Sequence, residues 1–417
     1  MPAGPNSGQT EKGEHMQEHR TAEVTLTLRG SDGKPLANRP ITVRQTAHAF
    51  LFGCNVFKLN STGSPQRDRA YADRFAALMN YATLPFYWGG YEPEKGCPLP
   101  EPRRRMAEWC LSHAITPKGH PLCWHEVLPK WAPQRGGKEL LDLQTRRIRR
   151  DVRAFRGMVK WWDVVNEVCV MPRYQTDKNP MARLCRRMGR TALVSRMFAE
   201  ARKSDHSARF ILNDYDVSDL YEKIIEDCLE AGVKIDAIGI QSHMHTGWWG
   251  EEKIVSVCDR FSRFGIPLHF TELTILSGAL KTDSDWHSFH PGWESTPEGE
   301  KRQALELEKT YRALFGHKAV RAVTWWDFSD LGAWQGAPAG LLRKDMTPKP
   351  AYEVLMDLVQ KEWRTGPLRL VTDALGRARF RGYLGSYALE IRNKRAADFH
   401  LHRAGCLNVG LELERGF

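Results

Sequence analysis

Apolar positions along the chain fall into two regimes. From Ala22 onward Val24, Leu26 and Leu28 alternate with Thr and Glu, Ser31-Asp32-Gly33-Lys34 supplies a turn, and Ile41 and Val43 resume the alternation, a pattern that predicts a β-hairpin. Leu368 and Leu370, followed after the turn residues 372–376 by Phe380, Tyr383, Tyr387, Leu389 and Ile391, repeat that period-two pattern near the other end. Between these segments, short continuous apolar runs alternate with amphipathic stretches of helical period. The runs predict buried strands at 50–55, 81–86, 116–124, 159–166, 210–215, 237–243, 268–273 and 319–327. Eight such strands with intervening helices specify an α/β chain folded as a (β/α)8 barrel, which we assign to residues 49–362. The flanking segments 21–48 and 363–417 are expected to pair into one small accessory β module, either a packing cap or a sugar-binding element. Residues 1–20, rich in Gly, Gln, Glu and His, are expected to be disordered.

Composition narrows the function classes. Hydrophobic content of 41% and charged content of 27% are ordinary for a soluble chain of 417 residues. No stretch reaches the roughly 18 apolar residues of a membrane span. The net charge of +11 is concentrated in runs such as Arg103-Arg104-Arg105, Arg146 to Arg150 and Arg186-Arg187, which read as solvated helix faces. Nucleic acid is not expected as a partner, because no recognition motif or aromatic-basic interleaving accompanies the charge. Nine cysteines scatter without metal-ligand spacing and read as packing thiols of a reducing compartment. The first residues are polar, which suits a cytoplasmic protein, or a secreted one whose signal peptide has been removed. Oligomeric state is left open.

Candidate chemistry gathers where the predicted strands end. Glu167 closes Trp161-Trp162-Asp163-Val164-Val165-Asn166-Glu167, and Glu272 sits in His269-Phe270-Thr271-Glu272-Leu273, about a hundred residues further on. Two carboxyl groups on rigid elements suit glycosidic bond cleavage, in which one protonates the leaving oxygen and the other attacks or stabilises the anomeric carbon. His120, Trp124, Asn166, Asn213, Asp214, Tyr215, Gln241, His243 and Trp326 also fall at predicted strand ends, the edge where barrel enzymes place their catalytic groups. Each has a structural alternative: a strand Trp is usually core, and either His could be a buried, satisfied side chain. Trp131 reads as a structural plug, Trp248 and Trp249 as loop aromatics, and Cys123 and Cys169 as packing.

The order and spacing of these segments resemble glycoside hydrolase family 10, the retaining family known mainly for endo-β-1,4-xylanases, from about Phe52 to Tyr352. The resemblance is carried by Phe52-Gly53, Gly119-His120, Trp124-His125 with Leu128-Pro129-Lys130-Trp131, Asp163 to Glu167, Asn213-Asp214-Tyr215, Gly239 to His243, Thr271-Glu272-Leu273, and Trp326 with Trp334. It implies Glu167 as acid/base and Glu272 as nucleophile, with Asn166 on the sugar 2-hydroxyl. It also implies that His243 holds the nucleophile, Gln241 contacts the acid/base region, His120 and Trp124 line the −1 sugar, and Trp326 and Trp334 are stacking platforms. No metal or cofactor is implied, and the expected partner is a carbohydrate substrate. The charge of Glu272 is expected to be the chief cause of a raised pKa at Glu167.

One stretch departs from the family pattern. Its second strand ordinarily carries a Glu, an Asn and a Lys that grip the glycone sugars, whereas this chain reads Thr83-Leu84-Pro85-Phe86-Tyr87-Trp88. Phe86 and Tyr87 are expected to make that wall aromatic. Val127 replaces a Gln, and Thr274 replaces an Asp two residues beyond the nucleophile. These changes spare the catalytic pair and are expected to reshape specificity, leaving another β-glycan, an aryl glycoside or a non-catalytic sugar-binding barrel as alternatives to xylan cleavage.

Overall fold

The computed structural model describes residues 17–175 and 178–414. Eight parallel strands close into a barrel: β3 (Leu51–Asn55), β4 (Tyr81–Pro85), β5 (Thr116–His120), β6 (Trp161–Asn166), β7 (Arg209–Asp214), β8 (Ala237–Ile240), β9 (Leu268–Leu273) and β10 (Val320–Trp325), with β10 bonded back to β3. Helices follow in turn: α1 (Pro65–Leu78), α2 (Glu101–Ser112), α3 (Lys138–Ala154), α4 (Arg190–Ser204), α5 (Asp219–Glu230), α6 (Gly250–Ser262), α7 (Pro297–Gly316) and α8 (Pro350–Asp357). All eight predicted strands are present. That predicted at 116–124 ends earlier, at His120, where a Pro without an N–H to give the ladder follows in a cis peptide.

Local sequence explains the helices. Pro65 starts α1, the Ser64 side chain accepts from the Arg67 amide, and Tyr71, Phe75 and Leu78 form its buried stripe. In α3 the stripe is Leu140, Gln144, Ile148 and Val152. Here the expected solvated arginine run is corrected: Arg147 is 3% exposed. It donates to the carbonyls of Phe86, Leu122 and Pro121 beyond the ends of β4 and β5 and pairs with Asp151 at 3.3 Å. Arg146 and Arg186-Arg187 are exposed, as expected.

The chain divides into two compact units, the barrel of Phe52–Leu314 with Ala319–Tyr352, and a second unit formed by the described parts of 1–51, 315–318 and 353–417. In the second unit β1 (Thr21–Arg29) lies between β12 (Arg377–Tyr383) and β15 (Gly405–Glu412), while β2 (Pro40–His48) lies between β11 (Leu368–Val371) and β13 (Gly385–Ile391), with β14 (Lys394–Leu401) at the edge. The terminal segments thus share one β structure, but the predicted hairpin is absent: β1 and β2 belong to different sheets. Their inward faces, Val24, Leu26 and Leu28 on one and Ile41 and Val43 on the other, meet Tyr387, Leu389 and Leu401 in a common core. Of the tail expected to be disordered, residues 1–16 lie outside the described residues, and Glu18–Arg20 form a single helical turn. No helix among the described residues is long and apolar enough to cross a membrane. All nine cysteines are free thiols, and seven are buried.

Candidate active site

Barrel strands deliver side chains alternately to the interior and to the helix layer, so the residue beyond each strand end decides what faces the mouth. Glu167 follows β6 with φ of +58° and Ser242 follows β8 with φ of +60°, conformations that cost free energy for any residue with a Cβ. The turn at Glu167 is held by its amide bonding to the Asn213 carbonyl at 2.8 Å. Around these ends opens a cleft of about 380 Å³. It is lined by Tyr87, His120, Trp124, Asn166, Glu167, Tyr215, Gln241, His243, Glu272, Trp326 and Trp334, whereas the strand-end candidates Asn213 and Asp214 are fully buried and do not line it.

The two glutamates sit in different fields. Glu167 accepts from Trp124 Nε1 at 2.9 Å, Gln241 Nε2 at 3.0 Å and Asn166 Nδ2 at 3.2 Å. Burial nonetheless pushes its carboxyl up to about 8, with the charges of Glu272 and Asp214 adding to the shift. The expectation that Glu272 is the chief cause is therefore corrected: loss of water is the larger effect. Glu272 is also buried, but the imidazoles of His120 and His243 and the more distant Lys118 outweigh desolvation and hold its carboxyl below the usual range. One group is poised to hold a proton and the other to stay ionised.

Asn213 links them. Its Nδ2 donates to Glu272 Oε1 at 2.8 Å and to Asn166 Oδ1 at 2.7 Å, while Thr271 Oγ1 donates to its Oδ1 at 2.6 Å. A Cβ on Gly239 would lie 2.3 Å from that Oδ1, so a glycine is required on β8 for Asn213 to reach across. Beneath the pair, Lys118 Nζ and His120 Nδ1 both contact Asp163 Oδ2, at 2.8 and 2.7 Å, in a fully buried cluster that fixes the His120 ring. The Nε2 of His120 is left for other partners.

Thr274 does not leave a gap where the family places an Asp. Its hydroxyl meets His243 Nδ1 at 3.0 Å, and His243 Nε2 meets Glu272 Oε2 at 3.2 Å, so a hydrogen-bond chain to the Glu272 carboxyl persists through a hydroxyl. The expected aromatic second-strand wall is half correct. Tyr87 lines the cleft, whereas Phe86, just past the end of β4, is wholly buried against Tyr91, Phe155 and Trp162. Trp131 donates to the Glu92 carbonyl and packs edge-on against Trp88, consistent with a plug. Trp249 lines the cleft, while Trp248 is bonded to Thr310.

Several lining residues were not legible from motifs: Glu126, Val170, Tyr174, Trp286 and His287. All sit in loops without periodicity, and Glu126 alone was signalled, by its place directly after Trp124-His125. Among the described residues, His125, Glu126 and Glu167 are the group whose donor atoms lie close enough, within 4.8 Å of one another, to hold a cation.

Comparison with known proteins agrees with this geometry. The profile of glycosyl hydrolase family 10 matches residues 46–358. Curated relatives include an anti-sigma-I factor of Acetivibrio thermocellus, 25% identical over 97% of this chain and 48% of its own length. Others are endo-1,4-beta-xylanase B of Thermotoga neapolitana, 27% identical over 66% and 78%, and endo-1,4-beta-xylanase 1 of Arabidopsis thaliana, 26% identical over 89% and 36%. The chain thus spans about half or less of two of these three. Xylanase 10B of Thermotoga petrophila, solved with xylobiose, superposes with a TM-score of 0.62 at 23% identity, covering 75% of this chain and 95% of that one, a likeness of fold. With the family profile extending over three quarters of its length and the paired carboxyls at the barrel mouth, the chain belongs to glycosyl hydrolase family 10.

Proposed function

We propose that the protein is a retaining glycoside hydrolase that cleaves xylan-type β-1,4 linkages by double displacement. The observation that supports this reading is one cleft holding two buried carboxyls with opposite proton affinity, Glu167 pushed up to about 8 and Glu272 held low. In the first step Glu272 attacks the anomeric carbon as the glycosidic C–O bond breaks, and the Glu167 proton passes to the leaving oxygen. In the second, Glu167 takes a proton from water, whose oxygen displaces Glu272 and restores both carboxyl groups. Asn213 and His243 keep the nucleophile oriented through both steps, and Asn166, held by Asn213, is placed to meet a hydroxyl beside the reacting carbon.

The test is product analysis on xylans, other β-glycans and aryl β-glycosides beside a Glu272→Ala control. Release of xylo-oligosaccharides or xylose with retained anomeric configuration, absent in the control, is the expected result. With Glu167→Ala, an aryl β-xyloside and azide should give a β-glycosyl azide, because the small anion attacks the glycosyl-enzyme without a base. Turnover by Glu272→Ala would overturn the assignment of roles. Binding of xylan fragments with no cleavage of any substrate would identify a non-catalytic sugar-binding barrel instead.

A further inference from the structure

On the proposed hydrolase reading, the leaving group lies on the Glu167 side of the scissile bond, because that residue supplies its proton. The cleft continues in this direction. Past Glu167 the His125 ring lies 3.7 Å from the carboxylate and 4.2 Å, centroid to centroid, from Tyr174, and His287 and Glu126 follow. On the other side of the reacting centre four rings form a closed circuit. Tyr87 meets Phe57 at 6.0 Å, Phe57 meets Trp326 at 5.7 Å, Trp326 meets His120 at 5.4 Å and His120 meets Tyr87 at 5.5 Å. The interplanar angles of 74–82° make each an edge-to-face contact at van der Waals separation, which leaves no slot for a pyranose between any two rings.

The space behind the circuit is separate. A second cavity of about 170 Å³, lined by Asn55, Phe57, Lys58 and Asp327 among others, shares no lining residue with the catalytic cleft. Phe57, which lines this second cavity with Asn55, Lys58 and Asp327, packs edge-on against Trp326, which lines the cleft, so the two rings stand between those polar side chains and the reacting sugar. Tyr87 stands where the family pattern has a lysine, and its bulk closes the circuit.

We infer that the cleft accepts one sugar on the glycone side, so that the enzyme removes the terminal unit from the non-reducing end of β-1,4-linked xylo-oligosaccharides instead of cutting within chains. Tyr87 and Phe57 are its specificity-determining residues.

The experiment is a time course on xylopentaose labelled at the reducing end with 2-aminobenzamide, using the full chain. The expected first products are free xylose and labelled xylotetraose. Labelled xylobiose or xylotriose appearing first would overturn the inference while leaving the hydrolase reading intact. If no xylan-type oligosaccharide or aryl β-xyloside is cleaved, the hydrolase reading fails and the inference falls with it. Tyr87→Ala and, separately, Phe57→Ala should raise the share of internal cuts about ten-fold, a change of ~1.4 kcal/mol in relative transition-state binding. Terminal release unchanged in both variants would show that the ring circuit does not set the cleavage position.

Discussion

Glu167 and Glu272 are the same residue type at the mouth of the same barrel, and their neighbours alone separate them. Burial drives Glu167 up to about 8, whereas His120 and His243 keep Glu272 below the ordinary range. Activity on an unactivated xyloside should therefore fall as pH rises through about 8, as Glu167 loses the proton that the leaving oxygen needs. An aryl xyloside with a good leaving group should show a weaker alkaline loss in its first step, and rates on the two substrates across pH check this. An identical alkaline limb for both would mean that another group controls it. Thr274 gives a second prediction at this scale. Its hydroxyl can donate to His243 Nδ1 or accept from it, which keeps Nε2 directed at Glu272. Thr274→Val should lower kcat about 2–10-fold, the worth of one neutral hydrogen bond, with KM little changed. The residues that sequence reading located were those inside ordered motifs at strand ends. Tyr174, Trp286 and His287 were missed because loop position is set by long-range closure, and Phe86 was misplaced because β4 ends at Pro85 and the turn that follows sends Phe86 into the core beside Phe155 and Trp162.

Among the elements, the barrel strands were legible because parallel strands buried on both faces read as continuous apolar runs, and every run from Leu51 to Trp325 resolved into one strand. Strand pairing in the terminal unit was not. Alternation told which faces of β1 and β2 are apolar, but the choice between pairing with each other and packing across a sandwich rests on β11 to β15, more than three hundred residues away. Helix α3 shows the same limit for charge: a run of arginines carries no mark of which one turns inward. Arg147 ties the carbonyls of Phe86, Pro121 and Leu122 together beside Tyr87 and Trp124; its loss takes a donor from each, leaving Leu122 with Gln144 and Asp151 with Arg150. Arg147→Ala should cost roughly 3–5 kcal/mol of stability, against less than about 0.5 kcal/mol for the exposed neighbour in Arg146→Ala. Urea unfolding of the two variants is the check. Equal midpoints would show that the buried guanidinium is not a structural tie.

For the molecule as a whole, the buried ionisable groups of the barrel set a stability curve with a distinctive shape. Glu167, Asp327 and Asp214 are raised to about 8, 7 and 6 by burial, from ordinary values of 4.5, 3.8 and 3.8. Their folded forms hold protons that the unfolded chain has released, so each adds stability as pH falls through its folded value. His125 and His269, lowered to about 3, and His245, well below 6.5, act in the opposite sense. There the unfolded chain takes up protons as pH falls below 6.5 while the folded form stays neutral, and each histidine removes ~1.4 kcal/mol per pH unit. Stability should rise as pH drops from 9 to about 6.5, and the rise should be held back below 6.5, where the buried histidines, joined by His48 of the terminal unit at about 3, oppose the raised carboxyls, Asp151, Asp330 and Glu126 among them. Below about 4 it should fall steeply, because the unfolded carboxylates then protonate as well and the low-pKa Asp163 and Glu272 lose their partners' attraction. Urea midpoints followed by tryptophan fluorescence between pH 3 and 9 would trace this curve. Glu167→Gln, which removes the most strongly raised of these carboxyls, should flatten the alkaline limb while leaving the acid limb in place. A steady decline in stability from pH 8 downward would mean that the histidines or the carboxyls do not keep their buried protonation states in the folded barrel.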